Sequence, residues 1–252
     1  MKELAAQPKL VEQVFEAILA EIIEGRLAAG ERVIQEQIAH DLGVSRQPVQ
    51  QALLLMRRQG VLSDAPGRGL IVAPLDLDLV QSMYEVRAVL EGLAFRLAAE
   101  RNPERARAEG PALIRNGREA VRSRSVAALI EADRRFHDFI GELSGNPMIT
   151  PALQTQWTST QRVMGEVLLR DEKPRDIWDQ HEALLEAVTA GRGATAEKLA
   201  RQHVMQAANF MVARLRAPAA PEAVAPQVQA RPRKARVEAA GPGAAAAPRP
   251  RV

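Results

Sequence analysis

Hydrophobic side chains in the first part of the chain repeat at the spacing of three helices and then of two short strands. In the helical segments they recur at i, i+3, i+4 and i+7, and turn residues bound the strand segments. Gly43 ends the second helix where a left-handed residue is favoured, and Ser45 can cap the third. The predicted elements are helices over residues 11–22, 34–41 and 46–58 and strands over 61–64 and 70–73. Because a Pro-Gly-Arg-Gly sequence separates the strands, we expect a β-hairpin.

Beyond Pro74 the hydrophobic pattern becomes helical for most of the remaining chain. The predicted helices cover residues 77–100, 103–122, 125–144, 148–170, 175–190 and 194–215. The pattern over 103–122 is the weakest, because Gly110-Pro111 interrupts it. From Ala217 onward, 13 alanines and 7 prolines leave too little bulky apolar surface to offset the entropy of ordering, so we expect a disordered tail.

These patterns predict a mainly α-helical chain of two domains and a tail. We expect a winged helix-turn-helix domain over residues 1–75, made of three helices and a β-hairpin wing. An all-α bundle of six helices follows over residues 76–216, and the Ala/Pro/Arg-rich tail covers 217–252. In a winged helix-turn-helix, the third helix enters the major groove of DNA, and the hairpin lies against the DNA backbone or the minor groove.

Composition narrows the chemistry that the chain can support. The 252 residues contain no cysteine and no run of 18 apolar residues, so we predict a cytoplasmic protein without a membrane span. Any metal site must use His, Asp or Glu, since thiolate ligands are absent. The net charge of +3 does not mark a DNA-binding surface, because residues 1–75 hold 8 basic and 9 acidic side chains. DNA binding would therefore depend on a few well-placed side chains.

Polar side chains occupy the amino end of the third predicted helix, which is the end that approaches base edges in a DNA complex. Arg46 can pair with guanine, and Gln47 or Gln50 can pair with adenine. Ser45 can bind a phosphate, and Arg68 at the wing tip can enter a narrow minor groove. The alternative is a small α+β domain in which the two arginines are only solvated surface charges.

Ionisable side chains fall on the inward faces of three helices in the second half of the chain. Asp133 and His137 lie one turn apart on an apolar face. His181 and His203 lie on the apolar faces of two later helices. A single inward histidine is more often a hydrogen-bonded core residue than a ligand. Three of them with an aspartate favour a divalent metal ion, Zn²⁺, Ni²⁺ or Mn²⁺, because a buried carboxylate without a cation is costly.

The first domain resembles the amino-terminal domain of the GntR family of transcription regulators. The matching segments are residues 34–53, Gln-Gly-Val-Leu at 59–62 and Pro-Gly-Arg-Gly at 66–69. The resemblance adds Gln37 and Gly67 to the residues expected at the DNA. The family commonly has Arg at the position of Gln50, and some members have Arg at that of Gln37. Since glutamine cannot supply that charge, the operator sequence cannot be carried over, and we expect a modest electrostatic affinity.

The second domain resembles the FCD effector domain of the FadR-like branch of that family, in its metal-binding form. The matching motifs are Asp133-x-x-Phe-His137, Gly-Asn-Pro at 145–147, Gln180-His181, His203, Tyr-Glu-Val-Arg at 84–87 and Leu-Glu at 90–91. The resemblance implies a divalent cation with coordination positions left for water or a small carboxylate. The ligands that it implies are Asp133, His137, His181 and His203.

Two further residues are expected near the effector. Arg87 faces inward, and an inward guanidinium needs an anion. One interpretation is that Arg87 binds the effector carboxylate; the alternative is a structural salt bridge with Glu91 or Glu85. Asn146 is expected to order the loop beside the site or, in a second interpretation, to contact the effector.

These features predict a ligand-responsive DNA-binding transcription regulator rather than an enzyme. We expect a homodimer on a pseudo-palindromic double-stranded operator, with two recognition helices on the two half-sites. The resemblance to the family implies that it acts as the repressor of a catabolic operon, which a small carboxylic acid would release or re-orient. The alternatives are a regulator that responds to metal alone and a metal-dependent enzyme fused to a DNA-binding domain.

Overall fold

The N-terminal part of the chain folds as three helices and a small sheet, which we call the reader. The computed structural model describes residues 8–170 and 177–216. The elements of the reader are α1 (Pro8–Ile23), β1 (Arg32–Val33), α2 (Gln35–Asp41), α3 (Arg46–Arg58), β2 (Leu62–Asp64) and β3 (Leu70–Val72). The strands form an antiparallel sheet in the order β1-β3-β2, and β2 and β3 are the predicted hairpin. The strand β1 is an addition to the prediction, because two residues are too few to show an alternating pattern.

The turn between α2 and α3 sets the direction of the third helix. Gly43 has a φ of +63°, a left-handed conformation that favours glycine. Ser45 occupies the N-cap position of α3, but its side chain makes no capping hydrogen bond. The side chain of Gln35 instead donates to the backbone carbonyl of Arg46 at 2.9 Å, which ties the start of α2 to the start of α3. The face of α3 that packs against α1 buries the predicted stripe Val49, Ala52, Leu53 and Met56.

The six helices predicted after Pro74 are present within the described residues, and we call them the bundle. They are α4 (Leu77–Arg101), α5 (Pro103–Ser123), α6 (Val126–Leu143), α7 (Ile149–Arg170), α8 (Ile177–Thr189) and α9 (Gly193–Arg216). Asp76 caps α4, because its carboxylate accepts hydrogen bonds from the backbone N–H groups of Asp78 and Leu79. The helices α4 and α9 lie side by side along much of their length. The mainly α-helical fold class predicted from the pattern is therefore confirmed.

The helix α5 is continuous through the Gly110-Pro111 sequence that weakens its pattern. A Cβ at Gly110 would come within 2.5 Å of the side chain of Leu185 on α8. A Cβ at Gly117 would come within 2.1 Å of the Trp178 ring on the same helix. The two glycines let α5 pack closely on α8, and this packing outweighs their low helix propensity.

The reader and the bundle pack against each other through α7. A Cβ at Gly165 would lie 2.9 Å from the carbonyl oxygen of Ile23, so glycine lets α7 approach the end of α1. Ile130 of α6 is buried in the same hydrophobic core as the inward faces of α1 and α3. Arg162 of α7 donates hydrogen bonds to two backbone carbonyls of the reader.

Within the described residues, every helix is too short or too polar to cross a membrane. The predicted disordered tail, residues 217–252, lies outside the described part of the chain.

Candidate metal centre and DNA interface

Three imidazoles from three helices meet in the interior of the bundle. His137 comes from α6, His181 from α8 and His203 from α9, and one nitrogen of each lies within 4.8 Å of the other two. The rings of His137 and His203 stack with their centroids 5.8 Å apart, and the centroids of His181 and His203 lie 4.8 Å apart. The three histidines that the pattern places on inward faces therefore lie together, and they could hold a metal ion.

Asp133 lies beside this cluster, one turn before His137 on α6. Its Oδ1 is 3.6 Å from Nε2 of His181 and 3.9 Å from Nε2 of His137. Burial raises the pKa of Asp133, and the charges of His137 and Arg87 oppose this shift. A divalent cation at this position would offset the cost of burying the carboxylate.

The cluster contains polar atoms that the protein leaves unpaired. Both ring nitrogens of His181 are buried without a hydrogen-bond partner among the described residues. Burial and the charges of His203 and His137 hold the pKa of His181 well below its usual range. Burial, together with the charge of His137, lowers the pKa of His203 to about 3. Neutral imidazoles with free nitrogens are the form that binds transition metals, so the residues present fit a divalent cation.

Two polar side chains contact the outer nitrogens of the cluster and orient the rings. Nδ1 of His137 lies 2.8 Å from Oε2 of Glu91. Nδ1 of His203 lies 2.9 Å from Oε1 of Gln180. Burial lowers the pKa of His137, but the charges of Glu91 and Asp133 outweigh burial and raise it. Such contacts direct the opposite ring nitrogen toward a metal ion.

Arg87 forms a salt bridge with Glu91, which is one of the two interpretations of its inward position. Its Nε and Nη2 donate to Oε1 of Glu91 at 2.9 and 2.5 Å, and its Nη1 donates to Oγ1 of Thr160 at 3.2 Å. The pair is buried. Burial by itself raises the pKa of Glu91, but the charges of Arg87 and His137 outweigh burial and lower that pKa. No contact with Glu85, the other predicted partner, is recorded among the described residues.

A cavity of about 450 Å³ lies beside this salt bridge and reaches His137. The residues that line it are Glu16, Arg87, Glu91, Glu131, Arg134, His137, Asp138, Thr150, Leu153, Gln154, Trp157, Thr160 and Gln161. Arg87 thus lines the cavity and also pairs with Glu91. Nearly half of the wall comes from α7, and α1 of the reader contributes Glu16.

Asn146 does not line this cavity. Its Oδ1 accepts a hydrogen bond from the backbone N–H of Met148 at 3.0 Å, and its own N–H donates to Oγ of Ser144 at 3.2 Å. Both contacts lie within the segment between α6 and α7.

The amino end of α3 presents its predicted DNA-contacting side chains to solvent. Ser45, Arg46, Gln47 and Gln50 are all exposed. Arg46 pairs with Glu36 of α2 through a 2.9 Å contact, and both side chains are well exposed. Gln37 is exposed but donates to Asp41 on its own helix at 2.8 Å. The ion pair between Arg46 and Glu36 is exposed and therefore weak, so a phosphate or a base could replace Glu36 as the partner of Arg46.

The wing is held by Arg32, an arginine that no sequence pattern indicates. Gly67 has a φ of +94° at the tip of the hairpin, next to the exposed Arg68. Arg32 of β1 donates to the backbone carbonyls of Arg68 and Pro66 at 2.6 and 3.0 Å. Its role depends on a contact over more than 30 residues, which no local pattern could indicate.

A winged helix-turn-helix joined to a helical bundle with a polar interior defines a class of two-domain regulatory proteins. The chain matches the family described as bacterial regulatory proteins, gntR family, over residues 10–72 and the FCD domain over residues 82–206. The chain therefore belongs to the GntR family and carries an FCD domain, in agreement with the resemblance found in the sequence.

Individual proteins agree with this assignment. A transcriptional regulator of the HTH type from the TAR-I ttuE-ttuC' intergenic region of Agrobacterium vitis is 34% identical over 51% of this chain and 77% of its own length. An uncharacterized HTH-type transcriptional regulator of Mycobacterium tuberculosis is 33% identical over 49% of this chain, and the match spans only about half, 51%, of that relative. The solved structure of E. coli McbR/YncC has a TM-score of 0.67 at 23% identity, covering 80% of this chain and 96% of its own, which shows the same fold. The family and these relatives are regulatory proteins rather than enzymes, as predicted.

Proposed function

We propose that the chain is a transcription regulator that binds DNA through the reader and senses a ligand through the bundle. The observation that carries this proposal is the cluster of three buried imidazoles beside a cavity, in a chain whose N-terminal part is a winged helix-turn-helix. A buried polar cluster of this kind destabilises a helical core unless a ligand completes it.

The ligand at the cluster is a divalent cation, Zn²⁺, Ni²⁺ or Mn²⁺, held by Asp133, His137, His181 and His203. FCD domains often bind metals, and the unpaired ring nitrogens of this bundle are of the right chemical type. When bound, the cation would offer coordination positions to an oxygen ligand. Glu91 and Gln180 hold the two outer rings in place for it.

The proposed effector is a small carboxylic acid that occupies the cavity between the cluster and α7. A volume of about 450 Å³ suits a small organic molecule. Arg87 lines the cavity and can add a charge-assisted hydrogen bond to the carboxylate while it keeps its contact with Glu91. For Asn146 we propose ordering of the nearby loop, since it lies outside the cavity wall.

A titration in a thermal-shift assay tests the metal and the effector in turn. The protein is treated with EDTA, then given Zn²⁺ or Ni²⁺, then a panel of small mono- and dicarboxylic acids, and the His203→Ala variant is treated in parallel. Added stabilisation by an acid on the metal-loaded protein supports effector sensing. Stabilisation by metal alone would instead indicate a regulator that responds to the cation. Equal behaviour of the wild type and the variant would contradict the metal site.

We propose that two copies pair through the exposed side of α4. Leu79, Val86 and Val89 have exposed fractions of 65%, 51% and 51%, and their spacing places them on one face of the helix. A homodimer built on this face would present two recognition helices to a pseudo-palindromic operator. Sedimentation velocity tests this: Val86→Lys should shift the protein to monomer, whereas Met148→Lys, at another exposed apolar site, should not.

Repression of a catabolic operon is the proposed mode of action. The test uses a duplex that the wild-type protein selects from a random pool, followed by titration of the acid found in the thermal-shift assay. Release of the duplex by that acid supports a repressor that its ligand relieves. Tighter binding in the presence of the acid would contradict this mode.

A further inference from the structure

Arg162 of α7 is a buried cation without a carboxylate partner. Its side chain is almost completely shielded, and it forms no salt bridge with any described residue. Its Nε has no hydrogen-bond partner among the described residues, and burial lowers the pKa of the guanidinium against the attraction of Glu166. Burying a guanidinium costs free energy unless its charge and its donors are paired.

The guanidinium joins two points of the reader that lie far from α7 in sequence. Its Nη1 donates to the carbonyl of Gly60 at 3.2 Å, and its Nη2 donates to the carbonyl of Ala73 at 2.5 Å. Gly60 follows the end of α3, and Ala73 follows β3 where the chain leaves the wing. The two points are also tied to each other, because the N–H of Ala73 donates to the carbonyl of Val61 at 2.9 Å. One side chain of the bundle thus fixes the end of the third helix and the base of the wing.

The other side of α7 is connected to the histidine cluster by a continuous series of contacts. His137 contacts Glu91, Glu91 pairs with Arg87, and Arg87 donates to Thr160 of α7 at 3.2 Å. Thr160 precedes Arg162 by two residues on the same helix. Because a helix moves as a rigid element, a shift at Thr160 also moves Arg162.

We propose that Arg162 is a positioning residue for the reader, through which α7 passes a change at the metal centre or in the cavity to the end of α3 and the wing. This inference rests on the proposed function, since it needs a ligand in the bundle. It goes beyond that function by naming the side chain that connects sensing to DNA reading.

Hydrogen–deuterium exchange of the full-length protein tests this with Ni²⁺ as the only ligand. Exchange is followed by mass spectrometry after EDTA treatment and after saturation with Ni²⁺, in peptides covering residues 56–64 and 70–75. We expect Ni²⁺ to slow exchange in these reader peptides by about 5-fold or more, the lower end of usual coupling between sites. In Arg162→Met, Ni²⁺ should still protect α6, α8 and α9, but the response of the reader peptides should disappear.

Two further variants make the result specific. Arg170→Met carries the same change at an exposed arginine of α7 that pairs with Glu166, so its reader peptides should respond as in the wild type. Thr160→Val breaks the contact series on the other side of α7 and should also abolish the reader response, with Arg162 intact. A merely structural role for Arg162 would raise exchange in the reader equally with and without Ni²⁺.

The outcomes separate this inference from the proposed function. Two outcomes overturn the role of Arg162 and leave the metal site intact. In one, the response of the reader peptides persists in Arg162→Met. In the other, that response is absent from the wild type although α6, α8 and α9 are protected. Absence of protection in α6, α8 and α9 of the wild type overturns the metal site, and the inference with it.

Discussion

Replacement of His181 by phenylalanine should make the metal-free protein more stable and remove its response to metal. His181 has no exposed surface, and its ring lies between Phe136 and Trp178, with centroid distances of 4.5 and 4.6 Å. His181→Phe keeps these ring contacts and removes two buried nitrogens that have no hydrogen-bond partner in the described part of the chain. A residue retained only for packing would behave in the opposite way.

The magnitude follows from these two nitrogens. Each unpaired buried polar atom destabilises the fold by about 1–3 kcal/mol. The phenyl ring is slightly larger than the imidazole, and the resulting strain destabilises the variant by about 1–3 kcal/mol. The two nitrogens together cost about 2–6 kcal/mol, so at mid-range the net gain in the metal-free state is about 2 kcal/mol. In the wild type, a cation at 100 times its Kd adds about 2.7 kcal/mol, which raises the Tm of a chain of this size by about 5–10 °C. With metal bound, the wild type should therefore be as stable as His181→Phe or more stable.

Unfolding followed by circular dichroism, first with EDTA and then with Zn²⁺, measures both effects. His40→Phe serves as the matched control, because His40 is exposed on α2 and should change neither value. A His181→Phe protein that is less stable than the wild type without metal, yet gains as much from Zn²⁺, would refute the reasoning. It would mean that the ring nitrogens of His181 are neither unpaired nor ligands.

Three other substitutions test the parts of the fold that hold and present the two sites. Arg46→Ala should weaken binding to a selected duplex by about 1–3 kcal/mol in fluorescence anisotropy, with no change in Tm; equal loss in Arg115→Ala, an exposed residue of α5, would contradict a specific contact. Arg32→Ala removes the two hydrogen bonds that brace the wing, so backbone amides of the hairpin should exchange faster in nuclear magnetic resonance; unchanged rates would show that the wing holds its own shape. Gly117→Ala places a methyl group against Trp178 and should lower the free energy of unfolding in urea by about 1–3 kcal/mol; a neutral result would mean that α5 and α8 separate easily.

The elements and the inward faces were accessible from the sequence because helical periodicity is a local property. Asp133 and His137 share a face through their spacing alone, and the apolar neighbours of His181 and His203 indicate the same interior. Periodicity predicts that a side chain points inward, but not which other inward side chain it meets. The meeting of three helices at one cluster is therefore a property of the tertiary fold.

Partners that lie on other helices could not be predicted for the same reason, whereas Glu91, one turn from Arg87 on α4, could. Gln180 orients His203 across two helices, and Arg162 reaches carbonyl groups about 90 to 100 residues away. The glycines of α5 show a related limit, since Gly110 weakens a helical pattern when it is considered locally. Glycine is needed at position 110 because the side chain of Leu185 packs closely against it. This contact exists only in the folded bundle, since Leu185 lies on α8.

The arrangement of the bundle separates the residues that hold a ligand from the helix that contacts the reader. The ionisable side chains around the histidine cluster come from α4, α6, α8 and α9, and among the described residues α7 contributes no member of that cluster. Yet α7 forms much of the cavity wall, and Arg162 on the same helix binds the end of α3 and the base of the wing. A core made only of apolar side chains would be more stable than this one. Under the proposed function, a ligand completes this polar interior, and α7 would carry the resulting change to the reader.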